Sequence, residues 1–212
     1  MGLVDFYSGR KILVTGGTGY FGSVLTEKLQ ALGSDVELVC RNPPPHFSKN
    51  GVRISIGDYQ SLGSWTKWLK HKDVVFHLAA QTSHRASNER PIEDYNLNVF
   101  PLIRMLQSCQ TKGIQPRIVF ASTASVYGLC GRFPVSERMP VNPMTVYDVH
   151  KLACENYLQY AATERKISTV SLRIANVYGP SSAVSKADRG VLNHLAREAV
   201  RGVALKIYGS GK

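Results

Sequence analysis

The chain has 212 residues, 43% of them hydrophobic, enough to bury one substantial core and to begin a second unit. It holds no apolar run of 18 or more residues, no secretory stretch over Met1 to Arg10, and four well-separated cysteines (Cys40, Cys109, Cys130, Cys154) without metal-type pairing; a reduced cytoplasmic protein with no metal and no membrane partner is expected. The formal charge of +11 is spread along the chain rather than clustered, and no nucleic-acid-binding motif accompanies it, so nucleic acid is not expected as a partner either.

In chain order, Lys11–Thr15 reads as a strand, a glycine-rich turn follows, and Phe21–Leu32 reads as an amphipathic helix. Val36–Cys40 is a second strand, ended by the rigid Asn42-Pro43-Pro44-Pro45. Val52–Ile56 and Val74–Leu78 are short apolar strands on either side of a helix near Ser61–Lys70. A long helix spans Ile92–Lys112, and a strand covers Arg117–Ala121. The helix carrying Tyr147 and Lys151 runs to about Arg165 and is followed by a strand at Ser168–Arg173. Gly33, Gly113 and Pro116 fall where helices must stop. Beyond them, Ser181–Arg189 reads as a polar loop, Val191–Arg201 as an amphipathic helix, and Leu205–Gly211 as a strand and turn. Alternating strands and helices of these lengths demand a parallel sheet with crossover helices, a doubly wound α/β (Rossmann) fold.

Two stretches carry chemistry. Val14-Thr15-Gly16-Gly17-Thr18-Gly19-Tyr20-Phe21-Gly22 places a glycine turn between a strand and a helix N-terminus. Backbone N–H groups and the helix dipole there favour a pyrophosphate. Gly16 and Gly19 allow a tight turn and close approach of phosphates, and Gly22 allows the helix to pack closely. In Tyr147-Asp148-Val149-His150-Lys151, residues four apart share one helix face, so the lysine ammonium can stand beside the phenol. A positive neighbour favours phenolate, which makes a tyrosine usable as an acid or base near neutrality.

These stretches, taken in order with Gly57-Asp58, His77-Leu78-Ala79-Ala80, Asn98-Val99, Ser122 to Gly128, and Arg173 to Pro180, resemble the extended short-chain dehydrogenases, specifically the NAD(P)-dependent nucleotide-sugar epimerases, dehydratases and reductases. The resemblance runs from about Lys11 to the end of the chain. It implies a dinucleotide-binding domain over 1–175 and the beginning of a smaller C-terminal substrate lobe over 176–212. That lobe would continue for roughly 100 further residues, given usual domain sizes, so weak or absent activity is expected of these 212 residues.

By the same resemblance Tyr147 and Lys151 are the catalytic acid/base and its partner, with Lys151 also on the nicotinamide ribose. Thr123 holds the substrate oxygen, with the adjacent Ser122 as the alternative. Asn176 contacts the sugar nucleotide. Gly16, Thr18, Gly19, Tyr20, Phe21, Gly22, Asp58, Leu78, Ala79, Ala80, Asn98 and Ser122 surround the cofactor. His77 reads as a structural histidine rather than a catalytic one. Where dehydratases of the family carry Asp-Glu, this chain has Ala124-Ser125, which disfavours water elimination.

At the tip of the second strand Cys40 is followed by Arg41. A guanidinium can pair with a 2′-phosphate, whereas an acid at this place would prefer a ribose hydroxyl. NADP is therefore the expected cofactor, with NAD the alternative. Two chemistries remain open, an epimerase that keeps its cofactor and an NADPH-dependent ketosugar reductase; a non-catalytic NADP-binding sensor or scaffold is a third possibility. A homodimer through the helices at Ile92–Lys112 and Thr145–Arg165 is expected from the resemblance.

Overall fold

The computed structural model describes residues 2–42, 51–179 and 191–205. Its strands are β1 (Lys11–Thr15), β2 (Asp35–Cys40), β3 (Arg53–Ile56), β4 (Val74–His77), β5 (Arg117–Thr123) and β6 (Thr169–Ile174). They form one sheet in the order β3-β2-β1-β4-β5-β6, with every pair parallel. This is the doubly wound order, with its switch point between β1 and β4. The helices are α1 (Leu3–Tyr7), α2 (Tyr20–Ala31), α3 (Leu62–Leu69), α4 (His84–Glu89), α5 (Pro91–Lys112), α6 (Val146–Arg165) and α7 (Val191–Val200), with a 3₁₀ turn at Ala124–Tyr127.

The expected strands and the longer helices are present, with ends moved by a residue or two. Helices α1 and α4 and the 3₁₀ turn were not foreseen, because none is long enough to show a hydrophobic period. Strand β5 continues to Thr123 because it pairs with β6 as far as Thr123↔Ile174. Helix α5 runs through Pro101, which lacks the N–H of an interior helical residue. The Pro43–Pro45 loop, the Ser181–Arg189 loop, Pro180 and most of the Leu205–Gly211 strand lie outside the described residues.

Central strands read as nearly continuous apolar runs because both sheet faces are covered. Alternate residues feed two cores. Leu13, Val75 and Phe120 join Trp65, Leu102, Met105 and Leu158 beneath α3, α5 and α6. Ile12, Val14, Val74 and Phe76 join Leu29 beneath α2, with Phe6 and Tyr7 of α1 packed at the side. Within β2, Glu37 is buried and holds Lys72 Nζ at 2.6 Å and Ser55 Oγ at 2.6 Å. Burial raises its pKa, but those two bonds and the charges of Lys72 and Arg53 outweigh it and hold the carboxyl below its usual value. Glu37 therefore belongs to the sheet. Among the described residues, no helix is long and apolar enough to cross a membrane.

Candidate active site

The switch point opens at the carboxyl ends of β1 and β4, where the glycine turn meets Leu78–Ala80. Gly16 has φ +70°, and a Cβ there would lie 2.7 Å from Ala79 N. A Cβ on Gly22 would lie 2.2 Å from Gly16 O, so α2 closes on the turn itself rather than on the strand. Gly19 is the N-cap of α2, and its N–H donates to Gly16 O at 3.0 Å. The turn is thus drawn tight around a helix N-terminus aimed into the crevice, the form a pyrophosphate requires. Thr18 and Tyr20 are half-buried in it, and Phe21 is exposed.

A buried pair fixes the turn from below. Thr15 Oγ1 accepts the N–H groups of Leu78 and Ala79, both at 3.1 Å, and lies 2.9 Å from His77 Nδ1. With both lone pairs engaged, the Thr15 hydroxyl has its hydrogen left for Nδ1, which makes His77 the Nε2–H tautomer. Burial, then the Lys151 charge, lower the His77 pKa to about 3, so the ring is neutral. It stands between Trp65 and Phe120, in a structural place.

Tyr147 is delivered by the first turn of α6. Helix N-termini leave orphan N–H groups, and three here are met. Val146 N–H donates to Asn88 Oδ1 (3.0 Å), Tyr147 N–H to Ser87 Oγ (3.1 Å) and Asp148 N–H to Thr145 Oγ1 (3.3 Å). The Tyr147 side chain is buried, and the His84 ring lies 5.0 Å from its ring centre. Lys151 Nζ is 5.7 Å from the Tyr147 ring centre and 4.6 Å from that of Phe120, and it donates to Ala121 O at 2.8 Å. Burial lowers its pKa to about 8, partly offset by the charges of Cys154, Asp94 and Glu155. The ammonium form still dominates at neutral pH.

The structure separates the two hydroxyls that sequence left adjacent. Ser122 Oγ donates to Glu155, whose carboxylate is clamped by Arg173 Nη2 at 2.7 Å and Nε at 3.1 Å. The hydrogen bonds that Arg173 donates to Glu155, outweighing desolvation, raise the Arg173 pKa further. Thr123 caps the 3₁₀ turn, accepting Ser125 N–H at 3.2 Å, and its Oγ1 is 2.7 Å from Ser125 Oγ. Ser125 Oγ donates to Asp148 Oδ1, while Asp148 Oδ2 takes Thr145 N–H (3.0 Å) and Oγ1–H (2.7 Å). Because the single Ser125 proton goes to the carboxylate, Thr123 gives its own proton to Ser125. Thr123 Oγ1 thus stands half-buried as an acceptor. Asp148 puts a carboxylate behind Ser125, but it is buried and engaged by three donors. An elimination acid needs an open carboxyl, so Asp148 does not fill that role.

Asn98 is buried with its amide committed. It accepts Gln81 N–H (2.9 Å) and donates to Gln81 O (3.1 Å) and Asp94 Oδ1 (3.0 Å). Asp94 Oδ2 lies 2.6 Å from His150 Nδ1, inside the Tyr147–Lys151 segment. Asn98 therefore ties the loop after β4 to α5 and, through Asp94, to α6. Sequence reasoning missed Gln81, Ser87, Asp94, Asp148 and Glu155. The one available signal was Asp94 four residues before Asn98, on a shared helix face. Asp58 is exposed, and its Oδ1 accepts Gln60 N–H at 2.9 Å in a local turn. Asn176 is exposed in the segment after β6.

A parallel six-stranded sheet, a glycine mould at its switch point and a Tyr/Lys pair on the crossover helix define a dinucleotide-binding fold of the short-chain dehydrogenase type. The sequence profile of the NAD dependent epimerase/dehydratase family matches residues 12–212, and the chain belongs to that family. It is 31% identical over 211 residues to a UDP-glucose 4-epimerase of Mycolicibacterium smegmatis, covering 95% of this chain and 66% of that one. Among solved structures, the UDP-glucose 4-epimerase of Thermotoga maritima with UDP-glucose superposes with a TM-score of 0.87 at 29% identity, covering 95% of this chain and 67% of that one. The Thermus thermophilus UDP-glucose 4-epimerase complex with NAD gives 0.81 at 30% identity, covering 92% and 64%. The chain spans about two thirds or less of the curated relatives it matches.

The expectation of NADP is corrected by these likenesses. Four similar structures, the Thermus enzyme and MoeE5 among them, are complexes with NAD. Arg41 sits exposed in the bend after β2, where an arginine at a strand end is an ordinary solvated residue. The ketoreductase alternative rested on that arginine and loses its support.

Proposed function

We propose that the chain binds NAD at the β1–β4 crevice and forms the hydride-transfer part of a sugar-nucleotide 4-epimerase acting on a UDP-hexose. The observation that carries this is the delivery of Tyr147 and buried Lys151 to the same sheet end as a glycine mould with no room for side chains at Gly16 and Gly22. NAD, when bound, supplies a reversible hydride acceptor for the sugar carbon. Tyr147 takes the carbinol proton and returns it after the ketone has turned over. Lys151 holds positive charge beside the phenol and is placed to reach the nicotinamide ribose. Thr123 Oγ1 accepts from the sugar hydroxyl, and Asn176 faces the sugar nucleotide. Gly16, Gly19, Gly22, Ala79 and Ala80 shape the bed of the dinucleotide, with Asp58 at its adenine end. A sensor or scaffold would need no such proton relay.

We place the limit of the dinucleotide unit near 175, after β6. Free cysteines support a cytoplasmic location, with burial pushing the Cys109 and Cys154 thiols up to about 12. Helices α5 and α6 pack on one another and leave Ile92, Val149, Tyr157 and Tyr160 exposed, which supports pairing through that face.

The test is calorimetric titration with NAD together with conversion of UDP-glucose to UDP-galactose. One-to-one NAD binding by the chain, and conversion abolished by Tyr147→Phe in a chain extended to the length of its relatives, are the expected results. Undiminished conversion in Tyr147→Phe would overturn the acid/base assignment, and absence of NAD binding would overturn the cofactor assignment.

A further inference from the structure

Three segments distant in sequence meet at the hydroxyl of Tyr20. This residue opens α2, immediately after the Gly19 cap. Its Oη donates to Gly179 O, in the segment after β6, and accepts from Asn193 Nδ2 of α7 at 2.9 Å. Asn193 closes the ring, since its Oδ1 accepts Gly179 N–H at 3.1 Å and its Nδ2 also reaches Gly179 O at 3.3 Å. Gly179 sits at φ +127°, a conformation that side chains resist. Both backbone groups of Gly179 are thereby held by one amide and one phenol.

Among the described residues, two apolar side chains of helix α7 stand largely in solvent. Leu192 is 49% exposed and Val200 is 90% exposed. Where burial is weak, a few directional bonds decide whether an element docks.

We infer that Tyr20 is a positioning residue of the dinucleotide site, whose phenol latches the segment after β6 and α7 to the pyrophosphate turn. The inference rests on the NAD assignment above and adds a coupling to it. A dinucleotide that orders the turn also orders Tyr20, so the latch closes at a lower entropic cost. By linkage, a docked α7 raises NAD affinity by the same factor by which NAD favours docking.

Hydrogen exchange of the 191–200 peptide tests this in the whole chain, with and without NAD, in the parent, Tyr20→Phe, Asn193→Ala and the double variant. Without NAD, each single variant should exchange α7 amides at least about fivefold faster, the net scale of a single hydrogen bond, since Tyr20→Phe removes two of the four bonds and Asn193→Ala three. The double variant should be no faster than Asn193→Ala, because every bond of the knot that reaches α7 runs through Asn193. NAD should slow α7 exchange in the parent but not in Asn193→Ala, and calorimetry should show NAD affinity in Asn193→Ala lowered by the protection factor lost. Equal ligand-free exchange in all four chains would overturn the latch. Protection by NAD that survives in Asn193→Ala, or that is missing in the parent, would overturn the coupling. If the parent does not bind NAD, the cofactor assignment fails, while the ligand-free comparison still decides the latch.

Discussion

The two halves of the sheet are finished to different degrees. Around β1 and β4, almost every polar group is committed to structure. Thr15 supports Leu78 and Ala79, His77 supports Thr15, and Asn98 and Asp94 hold the loop after β4. Around β6, the outward residues Val170 and Leu172 are 43% and 44% exposed, and Asn176 and Tyr178 stand on the surface. On the proposed function, the first half is the closely packed bed of the dinucleotide, and the second is the side turned to the sugar nucleotide, open among the described residues.

The largest break in this contrast should come from filling the mould. Gly22→Val would drive a side chain into Gly16 O and Gly17 Cα, backbone atoms that cannot rotate away. A loss of about 4 kcal/mol in denaturant unfolding is expected, at the severe end for overpacking, with NAD binding undetectable by calorimetry. Gly131→Ala, where an added Cβ meets nothing within 4 Å, should leave both unchanged. If the two variants behaved alike, the mould would not be a mould.

Next in size is the acid limb of stability. His77 has a folded pKa of about 3 against 6.5, driven down by burial and then by the Lys151 charge. Folding therefore favours the neutral ring. That contribution is full above pH 6.5 and is lost progressively as pH falls towards 3, by about 3 kcal/mol at pH 4. Unfolding measured from pH 7 to 4 should show a shallower fall in His77→Phe than in the parent.

The positions of the mould were readable because each is a local property. A glycine turn between a strand and a helix, or a tyrosine and lysine four apart, needs only neighbours in sequence. What holds Tyr147 in place was not readable, since Ser87, Asn88 and Asp94 reach α6 from 56 to 60 residues away. The different surroundings of Ser122 and Thr123 likewise come from Glu155 and Asp148, which only the packed α6 brings near. Arg41 misled because an exposed cation carries the same letter whether it meets a phosphate or water.

Lys151 gives a smaller effect that runs against intuition. Its ammonium is buried with one bond to Ala121 O, and burial lowers its pKa from 10.5 to about 8. A folded pKa below the unfolded one means that folding works against the charge at pH 7, and that the penalty is relieved as pH rises from 8 towards 10.5. Lys151→Met should therefore gain about 1–2 kcal/mol in thermal or denaturant unfolding near pH 7. The gain should shrink above pH 8. A destabilised Lys151→Met would mean that the Ala121 bond outweighs the burial of charge.

The smallest expected effect lies on the unfinished half. Leu172 pairs across to Ala121 of β5, but it is 44% exposed, and among the described residues β6 is the strand at that edge of the sheet. Exposed leucine at such a place contributes little to the core, and threonine suits a strand equally well. Leu172→Thr should leave unfolding within about 0.5 kcal/mol of the parent. It should also lower self-association in light scattering, because apolar edge strands invite pairing. A loss above about 2 kcal/mol, the scale of a buried leucine, would show that β6 belongs to the finished half and would move the divide past the last strand.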